Sequence, residues 1–244
     1  MRDKKLLISV ISILAALLIP IILFGFNFNS IAFNNDLYKK EFSKYGIYSA
    51  LRGYDIDSIN NKVLNYLMAN NGNELIDADF FNEREKAHLL DVKNLIHSIF
   101  KVYYFSAILF LLLLIILVCM MDFKVKGIAG RLLIIFSAGS LLALLVAVLF
   151  FALSSLEFNF AFDTFHKTFF SPGTYTFNPK FEGIVVLYPE KIFFDLLAGI
   201  ILSAIFSSVI LLIFPAAALF IFFKRNLPIL AKNFPSRKTK KQKL

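Results

Sequence analysis

Residues 80–121 read FFNEREKAHLLDVKNLIHSIFKVYYFSAILFLLLLIILVCMM, with no Pro and no Gly to interrupt them. The stretch opens as a charged amphipathic segment and closes as a 20-residue apolar run, Val102–Met121. A helix needs about 20 residues to cross a hydrocarbon core. One long helix is therefore expected to begin outside the membrane and continue into it. Asn82 followed by Glu85 has the spacing of a capping box, which sets the first helical residue at Glu83. Asn82, Glu85, His88 and Asp91 recur every three residues and share a face. A titratable imidazole with a carboxylate one turn to either side thus stands about 20 Å before the span, at ~1.5 Å per residue.

Three further apolar runs, Leu6–Gly25, Leu132–Leu153 and Leu196–Phe223, are also long enough to span. The chain is 58% hydrophobic with a mean hydropathy of +0.71, too apolar for an ordinary soluble domain. The fold expected is mainly α: a single integral membrane domain built as a four-transmembrane-helix bundle. Its two long loops, 27–101 and 154–195, form a small extracytoplasmic cap, and residues 224–244 form a cytoplasmic tail. The charge sets the orientation. Residues before Leu6, between Met121 and Leu132, and after Phe223 hold 14 basic residues against two acidic ones, whereas the two long loops hold 12 against 15. The positive-inside rule then puts both termini of this multi-pass cell-membrane protein in the cytoplasm.

Within the first loop, Leu37–Tyr45 and Ile59–Leu67 carry apolar residues at helical spacing and read as short amphipathic helices. Tyr38, Tyr45, Tyr48, Tyr54 and Tyr66 suit the water–headgroup boundary. The second loop holds ten phenylalanines in 42 residues, too many for open water, and reads as a lipid-facing lid. Pro172-Gly173 fits the centre of a type II turn. Tyr175–Phe177 and Ile184–Tyr188 are expected to pair as a small β-hairpin. Pro215 should kink the last span.

The same composition excludes several functions. No charged residue lies inside any span, which argues against an ion-coupled transporter. No soluble face interleaves basic residues with aromatics, so nucleic acid is not a partner. The tail Arg237–Lys243 is a topology signal beside anionic headgroups. The one cysteine, Cys119, lies within a span, where its thiolate is disfavoured. Neither a zinc spacing such as H-E-x-x-H nor a G-x-S-x-G elbow occurs, and no motif calls for a metal or another cofactor. The candidates for chemistry are His88 and His166, with Glu85, Asp91 or Asp163 placed to orient them. A histidine on an amphipathic helix can equally be a plain polar residue.

Two motifs add a resemblance. Phe81-Asn-Glu-Arg-Glu-x-x-His-Leu-x-Asp-Val-Lys93 resembles the signature helix of the Lit family, the lipoprotein intramolecular transacylases and their four-span relatives. Phe165-His-x-x-Phe-Phe-x-x-Gly173, with Pro189 and Phe193-Phe194-Asp195 beyond it, is similar to the family's second motif. The resemblance implies transfer of the sn-2 acyl chain of a diacylated lipoprotein onto its N-terminal cysteine amine. It implies His88 and His166 as catalytic residues, with Asn82, Arg84, Glu85, Asp91, Asp163 and Tyr175 supporting them. Tyr175 departs from the pattern, which has Trp after its Gly-Thr pair. The partners implied are the bilayer and a diacylated lipoprotein or membrane lipid.

Two other readings of the residues stay open here. One is a non-enzymatic membrane module that binds a partner or lipid through its cap, and the other a metal-dependent lipid hydrolase.

Overall fold

The computed structural model describes residues 2–122, 125–171 and 173–233. In chain order the helices are α1 (Arg2–Ala32), α2 (Asn35–Lys44), α3 (Ile47–Ala50), α4 (Ile56–Met68), α5 (Glu83–Met120), α6 (Val125–Leu156), α7 (Phe158–Phe169), α8 (Ile184–Leu187) and α9 (Glu190–Asn233). Helices α1, α5, α6 and α9 are each long and apolar enough to cross a membrane. Helix α1 packs against all three others, and α6 also packs against α9. The first span is thus the central stave of the bundle.

Close approach explains two features of that packing. Pro20 lies inside α1 and has no N–H to give the carbonyl of Ala16 one turn earlier. Gly139 of α6 lies against that same turn, where an added Cβ would stand 2.8 Å from Ala16 O and 2.4 Å from Ile19 Cδ1. Gly139→Ala should therefore force α1 and α6 apart, costing about 1–3 kcal/mol. Gly130 in the same helix faces open space, so Gly130→Ala should be neutral or slightly stabilising. Thermal unfolding of the two variants in detergent checks the contrast. Further along α1, Asn27 is buried and accepts hydrogen bonds from Ser203 Oγ (2.5 Å) and Ser207 Oγ (3.3 Å) of α9. In a bilayer such a polar tie holds two helices together.

Helices α2, α3 and α4 form the cap. Asn34 and Asp55 cap α2 and α4 through their side chains. The cap's core gathers Phe42, Ile56, Val63 and Leu64 with Leu187 and Ile192, so it is seated on the start of α9. Tyr45 Oη donates to Asp195 at 2.6 Å, and Lys44 pairs with the same carboxylate. The tyrosines divide between two environments. Tyr54 is exposed, but Tyr38 and Tyr66 are buried in the cap core, not set at a water–headgroup boundary. Each buries its ring and satisfies its hydroxyl on a backbone carbonyl, Ala32 O and Glu74 O respectively.

The second loop differs from expectation. Its first third is the helix α7, and there is no strand among the described residues. The expected hairpin is absent because the backbone groups of a ladder are engaged elsewhere. Arg84 takes the carbonyls of Gly173 and Thr176. Glu85 takes the N–H of Ile184, and Ile184–Leu187 coils into the single helical turn α8. Gly173 has φ +87° and Thr174 N donates to Ser171 O at 3.1 Å, the pattern of a type II turn. Pro172 of that turn, and the Arg237–Lys243 tail, lie outside the described residues. Helix α9 runs on through Pro215.

Candidate active site

The site begins at the first turn of α5. Asn82 accepts from Glu85 N at 3.0 Å while Glu85 Oε2 accepts from Asn82 N at 2.7 Å, closing the capping box. Glu85 is 1% exposed, and its other oxygen accepts from Ile184 N at 2.7 Å. One carboxylate therefore starts α5 and clasps the second loop to it. Arg84, beside it, makes an ion pair of 2.8 Å with the buried Glu182 and bonds Gly173 O at 3.0 Å. Its guanidinium also lies 4.9 Å from the centroid of Phe177. Glu182 in turn accepts from Asn178 N at 2.6 Å.

These bonds fold the segment 173–184 over the first two turns of α5, where His88 is buried. His166 arrives from the last turn of α7. The two imidazole rings lie 6.4 Å apart, centroid to centroid, with only 21° between their planes. Phe170 and Phe177 wall His88 at 4.9 and 5.3 Å. Phe162 and Tyr175 wall His166 at 4.2 and 5.4 Å. Nδ1 of His166 lies 2.7 Å from the carbonyl of Phe162. A carbonyl only accepts, so Nδ1 carries a proton, which leaves Nε2 as the nitrogen turned to a substrate.

The carboxylates are not placed as expected. Both oxygens of Glu85 are committed to backbone N–H groups, and the buried Nδ1 of His88 has no hydrogen-bond partner. Asp91 shares the face but forms no described bond to the imidazole; it lines a neighbouring cavity of about 270 Å³ with Phe169, Phe170 and Ser171. Asp163 pairs with Lys167 at 2.5 Å in solvent and leaves His166 to the Phe162 carbonyl. His97 lies away from the pair, its Nε2 donating to Leu67 O at 3.0 Å. Among the described residues no three His, Cys, Asp or Glu side chains converge as a metal site. Glu182 and Phe177, which the sequence does not single out, belong to the site because the chain folds back across about a hundred residues. No local spacing announces them.

Burial, reinforced by the nearby charges of His166 and Arg84, pushes the His88 pKa down to about 4. An unfolded chain takes up this proton below about pH 6.5, whereas the folded one does not until the pH falls toward 4. Folding is thus unaffected by this group above pH 6.5 and loses stability as pH drops through the window below it. The melting temperature of the wild type should therefore fall more between pH 7.5 and 5 than that of His88→Gln. Equal falls would contradict the neutral, buried imidazole.

The family model of the lipoprotein intramolecular transacylase Lit matches residues 13–194, three of the four spans and both histidines. No curated protein sequence matches significantly. Among solved structures, the membrane-integral Lit from Bacillus cereus superposes with a TM-score of 0.73 at 18% identity, over 92% of this chain and 99% of that one. Two variants of the same Bacillus cereus protein, with a histidine replaced by arginine or by alanine, each superpose with a TM-score of 0.71 at 17% identity. They cover 93% of this chain and 96% and 98% of their own. A match running through three spans, the cap and both histidine motifs establishes descent as well as fold: the chain belongs to the Lit family of lipoprotein intramolecular transacylases.

Proposed function

We propose that this protein moves the sn-2 acyl chain of a diacylated lipoprotein onto that lipoprotein's N-terminal cysteine amine, at the outer leaflet, with His88 and His166 as the catalytic pair. The observation that carries the reading is the pair itself. Two imidazoles from distant parts of the chain face each other in an aromatic enclosure, on the part of α5 that precedes its apolar run.

In this reaction the free amine attacks the ester carbonyl, so a C–N bond forms, a tetrahedral oxyanion develops and the bond to the sn-2 oxygen breaks. The amine must lose a proton and the departing oxygen must gain one. Buried His88 is neutral and can accept the proton, and because burial makes its imidazolium a stronger acid it hands that proton on readily. The proton taken by His88 passes to Nε2 of His166, whose Nδ1 is held by the Phe162 carbonyl, and from Nε2 to the departing sn-2 oxygen, so the proton lost by the amine is the one gained by the leaving group. Tyr175, whose ring lies 5.4 Å from that of His166, offers its hydroxyl as a donor to the oxyanion. Acyl donor and acceptor belong to one lipid-anchored molecule, and holding its two ends together supplies much of the rate advantage. Arg84, Glu85 and Glu182 act as positioning residues that hold the aromatic walls in place. The charge asymmetry supports a topology with both termini cytoplasmic and the cap outside.

The test is mass spectrometry of the N-terminal lipopeptide of a diacylated reporter lipoprotein, coexpressed with this protein or with empty vector. An N-acylated, mono-O-acylated cysteine formed only with the protein is the expected product. An unchanged diacylglyceryl-cysteine, with the protein verified in the membrane, would refute the assignment.

A further inference from the structure

Helix α5 carries one stripe from the cap down into the bilayer. Asn94, Ser98, Lys101, Phe105, Ile108 and Leu112 recur at steps of four and three and so share a face. Beyond Lys101 that stripe is bare, with Phe105 66%, Ile108 59% and Leu112 50% exposed. Before it, the same stripe forms one wall of a cavity of about 300 Å³. Asn70, Asn73, Lys93 and His97 help to close this cavity, and no carboxylate lines it.

The donors in the cavity outnumber what the protein uses. Lys93 is 1% exposed, its ammonium 4.7 Å from the centroid of Tyr66, donating to Asn71 Oδ1 and, at 3.0 Å, to Gly72 O. Two carbonyl oxygens and the Tyr66 ring meet its N–H groups, but no carboxylate meets its charge. Lys101 is exposed and makes no ion pair among the described residues. The side-chain amides of Asn70, Asn73 and Asn94 likewise make no described bond, so they add N–H groups without adding charge. Two cations and several amides with no opposing acid call for an anion rich in acceptor oxygens. A neutral peptide would bring as many donors as acceptors and leave both cations unmatched. A free anion would leave the apolar half of the stripe unused.

We infer that this cavity binds the phosphate of a phospholipid headgroup, whose acyl chains lie along Phe105, Ile108 and Leu112. The site contains neither histidine of the catalytic pair, so it stands or falls apart from the proposed reaction. Asn94 and Ser98 also line the neighbouring cavity beside Asp91, Phe170 and Ser171. A lipid seated here would therefore form one side of the lateral approach to the histidines.

The experiment titrates the full-length protein in maltoside with dioleoylphosphatidylglycerol, dioleoylglycerol or inorganic phosphate. Bound lipid is read by native mass spectrometry and stabilisation by thermal unfolding. One phosphatidylglycerol should be retained, with a saturable rise in melting temperature, and Asn94→Asp/Lys101→Glu should weaken its binding at least tenfold. Both positions are exposed, so the lipid-free variant should melt with the wild type. Dioleoylglycerol binding as tightly would show that the phosphate is not read and would overturn the assignment. Inorganic phosphate binding as tightly would show that the apolar stripe contributes nothing and would overturn the lipid as its source. Undiminished binding by the double variant would overturn the site.

Discussion

His88→Ala and His166→Ala should each lower acyl transfer by about a hundredfold to ten-thousandfold, the usual range for removing a positioned acid or base. The protein should remain folded in both variants. Nδ1 of His88 has no partner, so its removal orphans no other group. His166 bonds only the carbonyl of Phe162, within its own helix. The 6.4 Å between the rings makes a further demand. If the two imidazoles pass one proton between the attacking nitrogen and the departing oxygen, they act as a unit, and effects within such a unit do not add. The double variant should then be hardly slower than the worse single one. The time course of N-acylated lipopeptide formation, measured by mass spectrometry for all four proteins, decides this. Near-normal transfer by either single variant would remove that histidine from the mechanism, and multiplicative losses would break the relay while leaving each residue its own role.

The second large effect concerns stability. Glu85→Ala should strip the hydrogen bonds from two backbone N–H groups, those of Asn82 and Ile184, the second of them fully enclosed. Leaving the buried Ile184 donor unsatisfied costs about 1–3 kcal/mol and breaking the capping box at exposed Asn82 about 0.5–2 kcal/mol, so the loss should be roughly 1.5–5 kcal/mol and lower the melting temperature markedly. Glu85→Gln keeps one acceptor oxygen and should lose about half as much. Activity should follow the fold, because the segment clasped by Glu85 carries Tyr175 and Phe177 into the ring cluster. Below its melting temperature Glu85→Gln should therefore retain most of its transfer rate. If Glu85→Ala instead lost activity with no change in melting temperature, the carboxylate would act directly on the imidazole, as the three-residue spacing suggests.

That spacing shows where local reading stops. Asn82, Glu85 and His88 do share a face, but one face has many neighbours. Glu85 reaches outward to Ile184 rather than along the helix to His88, because a backbone donor from the second loop is buried against it. The same competition undid the expected hairpin: Ile184 and the Gly173 and Thr176 carbonyls bond to α5 instead of to each other. Asp163 found a lysine four residues on, in solvent, before it could find the imidazole three residues on.

By itself the sequence determined what depends on composition and short spacing. The four apolar runs fix four spanning helices because lipid offers the backbone no other partner. The Asn82–Glu85 box fixes the first turn of α5, and the unbroken helical pattern after it carries His88 to a rigid height above the bilayer. The two motifs carry the family. Tertiary structure alone decided that His166 faces His88, that Phe170 and Phe177 dry His88, and that Arg84 and Glu182 hold the second loop closed. Those contacts join residues about eighty to a hundred positions apart, and the free energy that selects them comes from satisfying buried polar groups, which no local pattern records.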